Sequence, residues 1–230
     1  MSKSTQKITV QDIIAALELE LPGEKAHRLM LPEGRTLDIP FGKTIKESAV
    51  LIPLFFKNEI LFICLTRRNK NLKHHPGQIS FPGGQKEKQE QTFEETALRE
   101  MEEETGIKKE QIELLGELST IYIPVSNFLI HPFIGYLENE PTFSVDHNEV
   151  DEIITIPMKI FLDPENKTTS PINTITGMLN VPCYKINEQI IWGATAMIIA
   201  EITTLLENYG LREEKYSGNG SNNSAHQKRS

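Results

Sequence analysis

Two apolar runs, Ala49–Phe56 (AVLIPLFF) and Glu59–Thr66 (EILFICLT), flank the polar pair Lys57-Asn58. Runs of this length around a short polar turn read as a hairpin of buried strands. Such strands commit the chain to a sheet-centred core that begins near Ser48. Further strand patterns follow at 112–122, 128–137 and 151–156, then at 181–186 and 189–192 around an Asn187-Glu188 turn. Helical spacing of apolar residues marks 10–21, stopped by Pro22-Gly23, and 194–209, ended by Gly210. Strands around two or three helices make a mixed α+β domain.

The chain has 230 residues, which suits a single domain. A domain of that size buries roughly 70% of its unfolded surface and needs no disulfide or structural metal. Residues 1–45 read as an extension, a helix followed by an irregular linker punctuated by Pro32, Pro40 and Gly42. The domain itself is expected over 46–210, and the Ser/Asn/Gly-rich tail 211–230 is expected to be disordered. The extension is free to cap the domain or to build a contact in a homodimer.

No stretch is apolar for long enough to cross a bilayer, since Pro53 interrupts the longest run. Met1–Thr9 lacks the apolar core of a secretory signal. Cys64 and Cys183 each lie in an apolar segment and read as buried free thiols of a reducing compartment, which points to a cytoplasmic protein. A net charge of −8 argues against non-specific nucleic-acid binding. The acidity is local. Between Gly84 and Glu104 eight glutamates face three basic residues, while Arg67, Arg68, Lys70 and Lys73 just upstream carry no acid among them.

Thr92–Thr105 carries the chemistry. Thr92 with Glu95 is a capping-box start and Gly106 a natural stop. Phe93, Ala97, Leu98 and Met101 form one apolar sector, and Glu100, Glu103 and Glu104 share a neighbouring stripe with Glu104 at the sector's edge. Like charges at these spacings cost a helix about 0.2–0.5 kcal/mol per pair. Arg99 can relieve Glu103 but not all three. A divalent cation can, and carboxylate oxygens suit Mg²⁺ or Mn²⁺ rather than Zn²⁺. Most glutamate runs are solvated faces, and Glu94, Glu95 and Glu102 read as that.

Arg99-Glu100-Met101-Glu102-Glu103-Glu104-Thr105-Gly106-Ile107 resembles the second half of the Nudix box, R-E-U-x-E-E-x-G-U with U apolar. Gly84-x5-Glu90 has the spacing of the first half, but eight residues rather than seven separate Glu90 from Arg99. Upstream, Cys64-Leu65-Thr66-Arg67-Arg68-Asn69, then Lys73, Gly77 and Phe81-Pro82-Gly83-Gly84, is similar to the coenzyme A motif L-L-T-x-R-(S/A)-x3-R-x3-G-x3-F-P-G-G, with Cys64, Asn69 and Lys73 as departures. That motif marks the coenzyme A diphosphatase branch of the Nudix hydrolases. Lys73 presents a point charge where the motif's arginine offers a fork.

The resemblance implies the Nudix fold, a mixed sheet packed between helices as an α/β/α sandwich. It implies metal-dependent hydrolysis of the diphosphate of coenzyme A or an acyl derivative, giving 4′-phosphopantetheine and adenosine 3′,5′-bisphosphate. Glu100, Glu103 and Glu104 are then the ligands of Mg²⁺ or Mn²⁺, with Arg99 beside them. Arg67, Arg68, Lys73, Gly77, Phe81, Gly83 and Gly84 form the substrate side. The general base is either Glu104, whose partial burial raises its pKa, or Glu149, on a loop after a strand. The alternatives are a Nudix hydrolase of another nucleoside diphosphate derivative such as ADP-ribose, and a non-catalytic nucleotide-binding module. No membrane or nucleic-acid partner is implied.

Overall fold

The computed structural model describes residues 8–42, 44–73, 75–174 and 177–211; all but the first residue of the tail expected to be disordered falls outside them. The N-terminal segment forms α1 (Val10–Leu17), α2 (Glu24–His27) and a 3-10 turn, Arg28–Met30. The expected helix over 10–21 stops four residues early, and the expected linker carries helical turns.

The apolar hairpin is β1 (Lys46–Lys57) and β2 (Ile60–Arg68). Its turn sits one residue later than the sequence suggests, because Asn58 and Glu59 both take positive φ, the pairing a two-residue hairpin needs. There follow β3 (Ile79–Ser80), β4 (Gly83–Gln85) and α3 (Phe93–Thr105). The expected strand over 112–122 divides into β5 (Ile112–Glu117) and β6 (Ile121–Ile123), both antiparallel to β7 (Phe128–Leu137). β8 (Val150–Pro157) leads into α4 (Met158–Leu162). A second sheet holds β9 (Lys167–Thr174), β10 (Gly177–Ile186) and β11 (Gln189–Trp192), before α5 (Gly193–Tyr209). Sequence patterning missed β9, KTTSPINT, because it is a polar edge strand, where Pro171 is tolerated.

The larger sheet is mixed: β1 runs parallel to β7 and antiparallel to β2 and β4. Alternation along β1 sends Ile52 and Leu54 to one face and Ala49, Leu51 and Phe55 to the other. The first face packs under α5, with α1 contributing Ile13 and Ala16. The second packs under α3 through Ala97 and Met101. Helices cover both faces, giving the expected sandwich.

The N-terminal segment is docked by a buried charge. Glu201, in α5, accepts from the backbone N–H groups of Gly23 (3.1 Å) and Ser119 (3.2 Å), and His27 Nε2 lies 2.8 Å from its other oxygen. Among the described residues no helix is long and apolar enough to cross a membrane. Cys64 and Cys183 are both buried and free.

Candidate active site

α3 begins and ends as its sequence dictates. The Thr92 hydroxyl accepts from Glu95 N–H, the Glu95 carboxylate returns to the Thr92 backbone, and Gly106 closes the helix at φ 76°. Fixing both ends fixes which side chains turn inward. Glu104 is buried, 1% exposed. Its oxygens accept from the Thr66 hydroxyl at 3.1 Å and, at a long 3.5 Å, from Gly83 N–H. Burial pushes its pKa up to about 7; the Arg68 charge and these bonds pull the other way, and the Glu100 charge adds to the rise. Burial also raises Glu100, against the pull of Arg99 and with the charges of Glu103 and Glu149.

The glycines of β4 are required by space. A Cβ on Gly84 would stand 2.2 Å from Glu100 Oε1, and one on Gly83 would stand 2.5 Å from the Ala49 carbonyl oxygen. Gly84 therefore brings the β4 backbone directly against the acidic helix, while Gly83 packs against β1.

Successive side chains of β2 point to opposite faces, and this separates the two arginines that the sequence groups together. Ile63 and Leu65 pack on the α5 face, and Arg67 follows them, its Nε 3.0 Å from Glu152 on β8. Arg68 follows Cys64 and Thr66 to the α3 face, close enough to Glu104 to oppose its pKa rise. Its Nε is buried without a hydrogen-bond partner. An open recess of about 660 Å³ lies beside Arg67 and Lys70, with Asp151 and Glu152 on its other wall.

Arg99 organises the outer side of the helix. Its Nε lies 2.8 Å from Glu90, and its Nη1 lies 2.8 Å from both Glu100 and Glu103. Burial opposes its charge, but these three acids more than offset that and push its pKa up. Glu90 also accepts from the Thr96 hydroxyl and Glu87 N–H. The extra residue before Arg99 therefore does not prevent Glu90 from reaching it. Glu102 is tied to Lys108, away from the cluster.

One oxygen each from Glu100, Glu104 and Glu149 lies within 4.8 Å of the others. The compact set thus differs from the one read along the helix. Glu149 joins it from the loop before β8, while the half-exposed Glu103 is paired with Arg99, whose Nη1 also bonds Glu100. Asn69, which sequence reasoning passed over, connects that loop to β2. Its backbone N–H donates to the Glu149 carbonyl at 2.8 Å and its Nδ2 to the His147 carbonyl at 2.6 Å. The only signal was its departure from the motif's small residue. Glu90 and Thr66 also gain roles that need tertiary geometry to see.

Three carboxylates of different exposure, one of them strained by burial and short of donors, fit a hard divalent cation. Glu100, Glu104 and Glu149 are the residues that would hold it. Phe81 is 3% exposed and packs in the core cluster just before the Pro82-Gly83-Gly84 turn. Gly77 takes φ 69° and donates its N–H to the Arg68 carbonyl, closing the loop. Lys73 stands exposed on that loop. Cys64 is fully buried, and burial pushes its thiol pKa up to about 12, as for an inert core cysteine.

The family model described as NUDIX domain matches residues 46–172. An "Uncharacterized Nudix hydrolase NudL" of Yersinia enterocolitica is 34% identical over 164 residues, covering 70% of this chain and 82% of that relative. The "Peroxisomal coenzyme A diphosphatase NUDT7" of Mus musculus is 32% identical over 117 residues, 51% of this chain and 49% of that relative. The crystal structure of a MutT/nudix family protein from Enterococcus faecalis matches over 74% of this chain and 65% of that one, with TM-score 0.52 at 16% identity, a likeness of fold.

Proposed function

The chain belongs to the Nudix family, a hydrolase family acting on phosphoanhydride bonds, and from that premise we propose that it cleaves the diphosphate of coenzyme A or an acyl-coenzyme A. The products are 4′-phosphopantetheine, or its acylated form, and adenosine 3′,5′-bisphosphate. The observation that carries this reading is the approach of the coenzyme A motif to the acidic helix. Arg68 faces Glu104 with an unpartnered buried Nε, and Gly83 and Gly84 lie against Glu104 and Glu100. The similarity to the mouse coenzyme A diphosphatase supports the same substrate class.

Glu100, Glu104 and Glu149 would hold Mg²⁺ or Mn²⁺, which would supply charge neutralisation of the diphosphate and a more acidic attacking water. The chain's own groups do the rest. Arg68 carries positive charge to the diphosphate side of the cluster, offsetting the repulsion of an anionic substrate by an acidic protein. Arg99 holds Glu100 and Glu103, with Glu90 as its anchor. Glu149, the one exposed carboxylate of the cluster, takes the proton of the attacking water as the oxygen–phosphorus bond forms and the anhydride bond breaks. Glu104 stays buried as the fixed end of the site. Glu103 contributes through Arg99 and as a further oxygen donor at the rim. Residues 46–210 form the hydrolase domain, and the N-terminal segment caps it.

Incubation with coenzyme A and Mg²⁺ or Mn²⁺ tests the reading, the expected product being adenosine 3′,5′-bisphosphate. 3′-Dephospho-coenzyme A is expected to be the poorer substrate. Turnover of ADP-ribose without turnover of coenzyme A would replace the substrate while leaving the site intact. Binding without turnover of any diphosphate would leave only a nucleotide-binding module.

A further inference from the structure

The tight fit of Gly84 against Glu100, and of Gly83 against β1 with its N–H towards Glu104, raises the question of what holds their loop in place. β3, two residues long, is the outermost strand of its path in the sheet. It pairs antiparallel with β2, Thr66 opposite Ser80 and Arg67 opposite Ile79. Just beyond, Arg68 N–H donates to the Gln78 carbonyl at 2.9 Å. Hydrogen-bonded and non-hydrogen-bonded pairs alternate in an antiparallel ladder. The Arg67–Ile79 pair is therefore the non-bonded one, and the Ile79 carbonyl points away from β2.

Ile79 is only 5% exposed, and a buried carbonyl with no ladder partner is costly to leave unmet. It is met from the second layer. The Thr195 hydroxyl, in the first turn of α5, donates to it at 3.2 Å, a buried bond between residues 116 apart in sequence. Three residues along from Ile79, the Pro82 carbonyl accepts from Leu51 N–H on β1 at 2.9 Å, and β4 begins at the next residue. The loop is thus gripped at both ends, by β1 in front and by α5 behind. Its free play sets where the Gly83 N–H and the Gly84 backbone stand relative to Glu104 and Glu100.

We infer that Thr195 is a positioning residue for hydrolysis, acting through the Ile79 carbonyl to hold the glycine turn against the acidic cluster. It touches neither substrate nor the reacting atoms. The inference rests on the site reading given above, and its test separates the two. Thr195→Val keeps shape and removes the donor; Thr195→Ser keeps the donor; Thr203→Val removes another buried hydroxyl of α5, one that donates to the Ala200 carbonyl at 3.0 Å and does not reach Ile79 or the glycine turn. Glu104→Gln serves as the control for the site.

With the coenzyme A assay, or whichever diphosphate the wild type cleaves, Thr195→Val is expected to lower kcat by about tenfold or more, since small displacements of reacting groups are amplified in rate. It is also expected to raise the Mg²⁺ concentration giving half-maximal rate. Thr195→Ser restores both, and Thr203→Val changes neither. Circular dichroism below each unfolding midpoint confirms that only folded protein is compared, and Thr195→Ala replaces the valine variant should that one not fold. Thr195→Val activity within about twofold of wild type overturns the inference, as does a serine variant impaired as badly as valine. Retained activity in Glu104→Gln instead overturns the site reading itself.

Discussion

Glu104 and Glu201 are both fully buried, on helices covering opposite faces of the same sheet, yet they are pushed in opposite directions. Burial works against the charge of each. At Glu201 the bonds from His27 and Ser119 more than offset it and hold the carboxyl below its ordinary value. At Glu104 one hydroxyl at 3.1 Å and one long amide contact do not suffice, Glu100 adds its repulsion, and the pKa rises to about 7. Burial alone therefore does not distinguish a structural acid from a functional one; the supply of donors does. Glu201 is finished within the chain. Glu104 is short of donors, and a cation is the partner it would share with its neighbours Glu100 and Glu149.

Substitution at the unfinished acid is expected to have the largest effect. Glu104→Gln should lower turnover on the order of a thousandfold, the scale on which removal of a principal charge-stabilising group acts. Its unfolding midpoint in chelator should equal or exceed the wild-type value, because a buried charge short of donors is gone. A variant that loses stability and keeps activity would make Glu104 resemble Glu201 and end the contrast.

The converse holds for the finished acid. Glu201→Ala leaves His27 and the Gly23 and Ser119 amides unmet, and truncating one partner of such a pair typically costs about 3–5 kcal/mol. Chemical denaturation should show that loss while kcat of the folded fraction at low temperature is retained. A fall in kcat without a fall in stability would move the N-terminal segment from scaffold into mechanism.

Only one of these two glutamates was legible in the sequence. Glu104 sits in a local pattern, a capped helix with acids three and four apart and a glycine stop, and α3 appears within a residue of its expected bounds. Glu201 is a lone acid in the apolar run AMIIAEITTLL, and its partner His27 lies 174 residues away. Nothing within either segment announces the other. The same limit explains Glu149, which sequence places on a loop but cannot bring against Glu100, and the Arg99 guanidinium that bridges Glu100 and Glu103 to Glu90. Helical spacing finds neighbours on one helix. Contacts between layers depend on strand register, which a single sequence reveals only through turns.

Two adjacent arginines repeat the contrast on a smaller scale. Arg67 has its carboxylate in Glu152, whereas Arg68 Nε is buried without a partner beside Glu104. Arg68→Ala should lower kcat/KM by about tenfold to a hundredfold, as for loss of a charge-assisted phosphate contact. Arg67→Ala should change it by less than about threefold. Steady-state kinetics on the two variants decide the matter, and equal losses would refute the assignment of the two faces of β2 to different roles.

The smallest effect is a difference in the sign of pH dependence, measured on metal-free protein. A carboxyl whose folded pKa is raised stabilises the fold below its unfolded value, and that contribution is lost as pH rises through the folded value. For Glu104 the window runs from its ordinary 4.5 to about 7. Glu201 is lowered, so its contribution is present above the ordinary value and is lost as pH falls towards the folded one. Unfolding midpoints in chelator across this range should therefore climb for Glu104→Gln relative to wild type between pH about 4.5 and 7 and then run level. The penalty carried by the glutamate, and absent from the glutamine, is complete above the window. Saturating Mg²⁺ should recover the stability in the wild type but not in the variant, since the cation supplies the missing partner. Parallel curves through the window would mean that Glu104 already finds its donors within the chain, and that its burial, like that of Glu201, belongs to the scaffold.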